Sequence, residues 1–295
     1  MKKTIFRGIA TALITPFTST GVDYNALARL IDTQLESGVN ALVPVGTTGE
    51  NATLTASERR EVIRFTVERV AGRVSVIAGT GTNNTEHVLE FTRAACGDGA
   101  DAVLVVTPYY NKATQGGLIA HFSAVADASE KPVVMYNVPS RTGCNLLPKT
   151  CAVLAEHPNI AAVKEASGNM AQVVELFALA GDKLDVYSGE DGITVPILAM
   201  GGMGCISVAS NVVPRRMVDM TNRFFAGDLA GAARIQKELT PLIKALFSEV
   251  NPIPAKAAMA HLGFCENTLR MPLTPMEPEH EQILVAEMKK LGVLA

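Results

Sequence analysis

The segment NIAAVKEASGN (159–169) puts an amine where an amine is costly. Ile160, Ala161, Ala162 and Val163 form an apolar run of the kind that lies buried in a sheet, and Lys164 follows at once, with Glu165 beside it. Burying an ammonium without compensation costs several kcal/mol. Either the strand ends there and Lys164 reaches water, paired with Glu165, or the site holds an amine in apolar surroundings. A desolvated amine has a lowered pKa, so more of it is neutral and nucleophilic. Its characteristic chemistry is attack on a ketone to form a Schiff base.

Other reactive groups cluster at comparable places. GTTGEN (46–51) combines glycines with two hydroxyls. Glycine permits positive φ and close backbone approach, and Thr47 and Thr48 are donors suited to a carboxylate. The competing reading is an ordinary turn with capping threonines. Neither a Walker lysine nor a GxGxxG spacing is present, which argues against phosphate or dinucleotide binding. Tyr136 closes the run PVVMY and is either a packing residue or a proton relay. Arg141, in YNVPSRTG, is either a solvated loop charge or a forked donor for a substrate carboxylate. Tyr109 and Tyr110, in TPYYNK, have the character of interface aromatics.

Something must hold these groups together. Apolar runs recur at 9–15, 39–45, 74–78, 102–107, 132–136, 160–164, 184–188 and 204–208. Their near-continuous apolar character suits strands covered on both faces. Amphipathic stretches lie between them at 23–37, 55–71, 84–97, 114–129, 146–156, 169–180, 191–200 and 212–226. In the second, Thr55 and Glu58 form a capping-box pattern. Eight β/α alternations predict an α/β fold, a closed (β/α)₈ TIM barrel, with an open doubly wound sheet as the alternative. In such a barrel, the loops after the strands' C-terminal ends carry the chemistry. GTTGEN, TPYYNK, YNVPSRTG, Lys164 and SGED (188–191) all fall there. After residue 227 the pattern is helical only, at 228–249, 252–262 and 278–291. The expected organisation is a barrel over 1–227 and a C-terminal helical extension over 228–295.

Bulk properties narrow the function class. Of the 295 residues, 48% are apolar and 19% charged, enough for a sizeable core. A net charge of −3 without a basic stripe argues against nucleic-acid binding. The five cysteines are scattered and contain no CxxC pair, which fits reduced thiols in a cytoplasmic protein and no structural metal. The opening MKKTIFRGIATALITPF starts like a signal peptide, but Arg7 interrupts it and Pro16 ends it, so a first strand is expected. No stretch reads as membrane-spanning.

VGTTGEN, VTPYYNK, YNVPSRTG, VKEASGN and NPIPAK, taken together, resemble the dihydrodipicolinate synthase family of pyruvate-dependent Schiff-base aldolases, and the resemblance runs along essentially the whole chain. It implies a homotetramer of barrels that condenses pyruvate with aspartate 4-semialdehyde to 4-hydroxy-tetrahydrodipicolinate, in lysine and diaminopimelate biosynthesis. It implies that Lys164 is the Schiff-base lysine and Tyr136 the proton shuttle. Thr47 would link Tyr136 to a second tyrosine, Tyr110, inserted from a neighbouring subunit. Thr48 would bind the pyruvate carboxylate, Arg141 would receive the semialdehyde carboxylate, and Gly189 and Ile206 would line the site with backbone. No metal or organic cofactor is implied, because the lysine imine is the electron sink. N-acetylneuraminate lyase shares the lysine, the tyrosine and a similar glycine loop, but usually lacks PSRTG. Another such keto-acid aldolase and a non-catalytic barrel binding protein are the alternatives.

One departure is informative. Lysine-sensitive members of the family carry histidines where Ala56 and Arg59 stand here, and a glutamate where His87 stands. Asn51, Ala52, Asn83 and Tyr109 occupy other positions of the same effector cleft, and Asn83 and Tyr109 keep the expected types. Losing a carboxylate and gaining a guanidinium disfavours a cationic effector, so weak or absent inhibition by lysine is expected.

Overall fold

The computed structural model describes residue 2 and residues 4–294; positions 1, 3 and 295, the ends of the two expected segments among them, lie outside the described residues. The eight apolar runs form β1 (Gly8–Ala12), β4 (Ala41–Val43), β5 (Ser75–Gly79), β6 (Ala102–Val106), β7 (Val133–Asn137), β8 (Ile160–Glu165), β9 (Asp185–Ser188) and β10 (Gly204–Ser207). They pair in parallel in the order β1-β10-β9-β8-β7-β6-β5-β4 and close on β1, so the closed barrel is the fold and the open sheet is not. Between β1 and the first helix, β2 (Phe17–Thr18) and β3 (Gly21–Val22) form a small antiparallel hairpin that the sequence pattern did not announce.

The strand alternation sorts the core into two shells. Ala10, Ala12, Val43, Ile77, Leu104, Val134, Ala162 and Ile206 point into the barrel. The intervening residues, such as Leu42, Val76, Val103, Val105, Met135 and Val163, pack under the outer helices. Both faces are dry, which explains why the strands read as continuous rather than alternating apolar runs. Phe6, just before β1, stacks on Tyr187 with ring centroids 4.1 Å apart, and the Tyr187 hydroxyl donates to the Phe6 carbonyl at 2.8 Å. This pair fills the interior at the end opposite the loops that carry the reactive residues.

The outer layer follows the predicted stretches: α1 (Tyr24–Glu36), α2 (Ala56–Val70), α3 (Thr85–Gly97), α4 (Gln115–Ala128), α6 (Pro148–Leu154), α7 (Met170–Ala180), α8 (Thr194–Ala199) and α9 (Pro214–Phe225). The capping box at α2 is present: Thr55 Oγ1 accepts from the Glu58 N–H and the Glu58 carboxylate accepts from the Thr55 N–H. YNVPSRTG, expected to be loop, contains a single helical turn, α5 (Pro139–Thr142), with Pro139 in its first turn, where a missing N–H costs nothing. Three further helices, α10 (Leu229–Leu246), α11 (Ile253–His261) and α12 (Pro278–Lys290), make up the C-terminal part. No helix among the described residues is long and apolar enough to cross a membrane. All five cysteines are free thiols.

The C-terminal helices are tied to the barrel by charge. Lys256 on α11 is fully buried and forms an ion pair with Glu50 of the GTTGEN loop, while its ammonium lies 4.2 Å from the Phe17 ring centroid. Glu50 also accepts from the Arg270 N–H at 3.0 Å, and the Arg270 guanidinium pairs with Glu58 on α2.

Candidate active site

Register decides where Lys164 points. Tyr136 pairs with Lys164 and Asn137 with Glu165 across β7 and β8. Paired residues of a parallel ladder share a face and successive residues alternate. Tyr136 and Lys164 therefore face the barrel interior, and Asn137 and Glu165 face the helices. Lys164 is 5% exposed, with its Nζ 4.3 Å from the Tyr136 ring centroid. Glu165 is fully buried on the other side, where its carboxylate accepts from Asn137 Nδ2 at 3.0 Å and from the Ser167 N–H at 2.6 Å. The surface ion pair between these neighbours is thus ruled out. On the adjacent strand end, a Cβ at Gly189 would come within 3.1 Å of Lys164 Cε and 2.7 Å of Ala166 Cβ. Any larger residue there would crowd the lysine, so the glycine leaves the amine room to move.

Lys164 lies in the wall of a cavity of about 700 Å³ at the C-terminal mouth of the barrel. Thr48, Tyr136, Arg141 and Gly189 line it as well. Thr48 is 3% exposed, and its Oγ1 accepts from Asn251 Nδ2 at 2.9 Å. Arg141 is on the exposed side, and its Nη2 donates to the Asn251 carbonyl at 3.0 Å. The cavity therefore combines a recessed amine, a buried hydroxyl and a guanidinium nearer solvent. This set suits a small keto acid held by its carboxylate, with room for a second anionic reactant.

The GTTGEN loop reaches its shape differently from expectation. Positive φ falls on Glu50 within the loop (54°) and on Val45 just before it (57°), not on the glycines. Glu50 stays in this unusual conformation because its carboxylate is clamped by Lys256 and Arg270. Gly49 serves close approach instead, since a Cβ there would lie 3.2 Å from the Leu13 carbonyl and 3.1 Å from Thr15 Oγ1.

Three expected residues are not in the cavity wall. Thr47 is half-buried in the turn beside Thr48, and its carbonyl accepts from the Glu50 N–H at 3.1 Å. Ile206 is wholly buried in the barrel interior. Tyr110 is 88% exposed, has φ 71° and borders a separate shallow depression with Asn83, Thr85 and Asn111, so one chain alone does not bring it to Lys164.

Other groups in the cavity were not assigned beforehand. Asn251 sits in NPIPAK, a motif recognisable in sequence whose role only the folded contacts reveal. Glu190 and Asp191 were visible in SGED, yet nothing in the pattern separated them from solvated acids. Burial raises both carboxyls above the usual range; for Glu190, the charges of Glu165 and Asp191 add to the effect. Asp191 is fully buried and accepts from the Val208 N–H at 3.0 Å and the Ala209 N–H at 3.1 Å, which ties the β9 loop to the end of β10.

The fold finds counterparts along the whole chain. The model of the dihydrodipicolinate synthetase family matches residues 5–291. The chain belongs to this family. A 4-hydroxy-tetrahydrodipicolinate synthase from Lachnoclostridium phytofermentans is 51% identical, the match covering 98% of this chain and 99% of that protein. The crystal structure of the dihydrodipicolinate synthase from Thermotoga maritima superposes with a TM-score of 0.97 at 43% identity, covering 99% of this chain and 100% of that one. The structure of a relative from Cyanidioschyzon merolae, solved with lysine bound, has a TM-score of 0.95 at 42% identity over 99% of this chain and 100% of that one.

Arg59 was expected to border an effector cleft. Its side chain is 6% exposed, its guanidinium carbon lies 4.4 Å from the Phe91 ring centroid, and its Nη1 has no partner within the described chain. Burial pulls its pKa down to about 10, which leaves it cationic at neutral pH. His87 is exposed, with its ring 6.3 Å from that of Phe91.

Proposed function

We propose that the chain condenses pyruvate with aspartate 4-semialdehyde through an imine on Lys164, giving 4-hydroxy-tetrahydrodipicolinate. The observation that carries this reading is the Lys164 amine, buried against Tyr136 in a cavity that also presents Thr48 and Arg141. Thr48 binds the pyruvate carboxylate. The Lys164 lone pair attacks the ketone carbon, the oxygen leaves as water and the C=N bond forms. The imine accepts electrons when a methyl proton departs, which yields an enamine. The enamine carbon attacks the aldehyde of the second substrate, whose oxygen takes a proton and becomes a hydroxyl. The amine of that substrate then attacks the imine carbon, closes the ring and releases Lys164. Tyr136 relays the protons, with Thr47 and the Tyr110 of a neighbouring copy completing the relay, and Arg141 holds the semialdehyde carboxylate. Gly189 contributes backbone to the site, while Ile206 packs in the barrel interior beneath it.

This reading requires no metal or organic cofactor, because the imine is the electron sink. It implies a homotetramer, in which the 88% exposed Tyr110 gains its role across an interface, and residence in the cytoplasm with the rest of lysine biosynthesis. It treats residues 1–227 as the catalytic barrel and 228–295 as its helical extension.

Borohydride reduction in the presence of pyruvate tests it. A mass gain on a peptide containing Lys164, and none in the Lys164→Ala variant, is the expected result. Absence of trapping in the unmodified protein, or pyruvate release from N-acetylneuraminate at a rate rivalling the condensation, would overturn it.

A further inference from the structure

Two anion-binding side chains of the cavity, Thr48 and Arg141, come from different loops, and both rest on one residue outside the barrel. Asn251, between α10 and α11, is 6% exposed. Its Nδ2 donates to Thr48 Oγ1 at 2.9 Å and its carbonyl accepts from Arg141 Nη2 at 3.0 Å. Its Oδ1 is buried and has no partner in the chain.

We propose that Asn251 is a positioning residue that sets the polarity of the Thr48 hydroxyl, an inference that rests on the reading of Thr48 as the pyruvate-carboxylate ligand. A hydroxyl has one proton to give and two lone pairs to receive with. By donating to Thr48 Oγ1, the Asn251 amide occupies a lone pair and leaves the O–H free to donate into the cavity. The arrangement is directional: a neighbour that could only accept would draw the Thr48 proton toward itself and turn a lone pair toward the incoming carboxylate. An aspartate at 251 is such a neighbour, and it has nearly the shape of asparagine. Asparagine thus supplies the donor that a carboxylate site needs behind its hydroxyl, and it does so from the helical segment rather than from the barrel. The same residue's backbone steadies Arg141, so the seat for the first carboxylate and that for the second share one support.

Pyruvate-dependent borohydride trapping and steady-state kinetics on the full-length Asn251→Ala, Asn251→Asp and Thr48→Val variants test this. A neutral hydrogen bond is worth roughly a three- to tenfold change in affinity. For Asn251→Ala, the pyruvate concentration giving half-maximal trapping and the pyruvate KM are expected to rise by about that factor, with a larger rise for Asn251→Asp. Loss of ground-state binding moves KM more than kcat, so kcat is expected to change by less than about threefold. The semialdehyde KM is expected to hold within about twofold, because substitution keeps the backbone carbonyl that Arg141 uses; a merely structural loss would raise both. In the Thr48→Val background, Asn251→Ala is expected to change the pyruvate KM by less than about twofold, since the hydroxyl it orients is gone. A pyruvate KM unchanged in both Asn251 variants, or the same rise with and without the Thr48 hydroxyl, would overturn the proposal. If Asn251→Ala does not fold, the near-isosteric Asn251→Asp decides. Failure of the parent protein to trap pyruvate is a separate outcome and counts against the imine reading itself.

Discussion

Among the described residues two lysines are buried, and they sit in opposite chemical situations. Lys164 is 5% exposed and Lys256 is not exposed at all. Each has its ammonium over an aromatic ring, 4.3 Å from the centroid of Tyr136 and 4.2 Å from that of Phe17. The difference is the carboxylate. Lys256 forms a fully buried ion pair with Glu50, and the Arg270 N–H takes up a second oxygen of that acid. Lys164 has an acid next to it in sequence, but strand alternation turns Glu165 outward to Asn137 and Ser167. One amine is locked into a structural network, and the other borders a cavity. Burial alone therefore does not distinguish the two lysines; one is buried beside open space and the other beside a matched acid. Arg59 is a third case, a buried cation over the Phe91 ring that is in no ion pair among the described residues.

Substitution should pull the two lysines apart along different axes. Lys164→Ala is expected to lower the condensation rate by more than about 10⁴-fold, as loss of a covalent nucleophile does, while its urea midpoint stays close to that of the parent. A variant that retained a tenth of the activity would erase the contrast. Lys256→Met should do the reverse. It leaves the Glu50 carboxylate buried without its partner, which typically costs 3–5 kcal/mol, readable as a lower urea midpoint. The double variant Lys256→Met with Glu50→Gln is expected to recover most of that loss, because the stranded charge is gone. If the single variant unfolds no more easily than the parent, the pair is not the clasp described above. The smallest effect concerns the third cation. With Arg59 cationic and His87 in place of a carboxylate, sub-millimolar L-lysine is expected to leave the initial rate unchanged; clear inhibition in that range would show that the effector finds another acid.

Much of the site was legible in the chain because strand periodicity is local. Lys164, Tyr136 and Gly189 lie on or just after apolar runs, and the alternation from Ala162 onward separates Lys164 from Glu165, past a register irregularity at the start of β8 that no local pattern announces. Thr48 was legible as a donor in a glycine-bearing turn, but not the reason the turn holds, since the positive φ sits on Glu50 and is stabilised by Lys256, which lies about 200 residues away. The one-turn helix around Arg141 escaped notice because four residues carry no periodicity. Asn251 was visible only as part of a motif. Its neighbour in space, Thr48, is 203 positions distant, and no local pattern encodes such a pairing.

The order of apolar runs and amphipathic stretches determined by itself eight β/α units around a parallel sheet with dry faces; that the sheet closes on itself was decided by the pairing of β1 with β10 and β4. The placement of Lys164 and Glu165 on opposite faces followed from the same pattern, because alternation along a strand needs no knowledge of distant residues. Only the tertiary structure decided which buried cation is neutralised and which borders a cavity, and which side chain stands behind the Thr48 hydroxyl. Those outcomes depend on contacts between segments far apart in the chain, whose geometry exists only once the C-terminal helices have docked on the barrel.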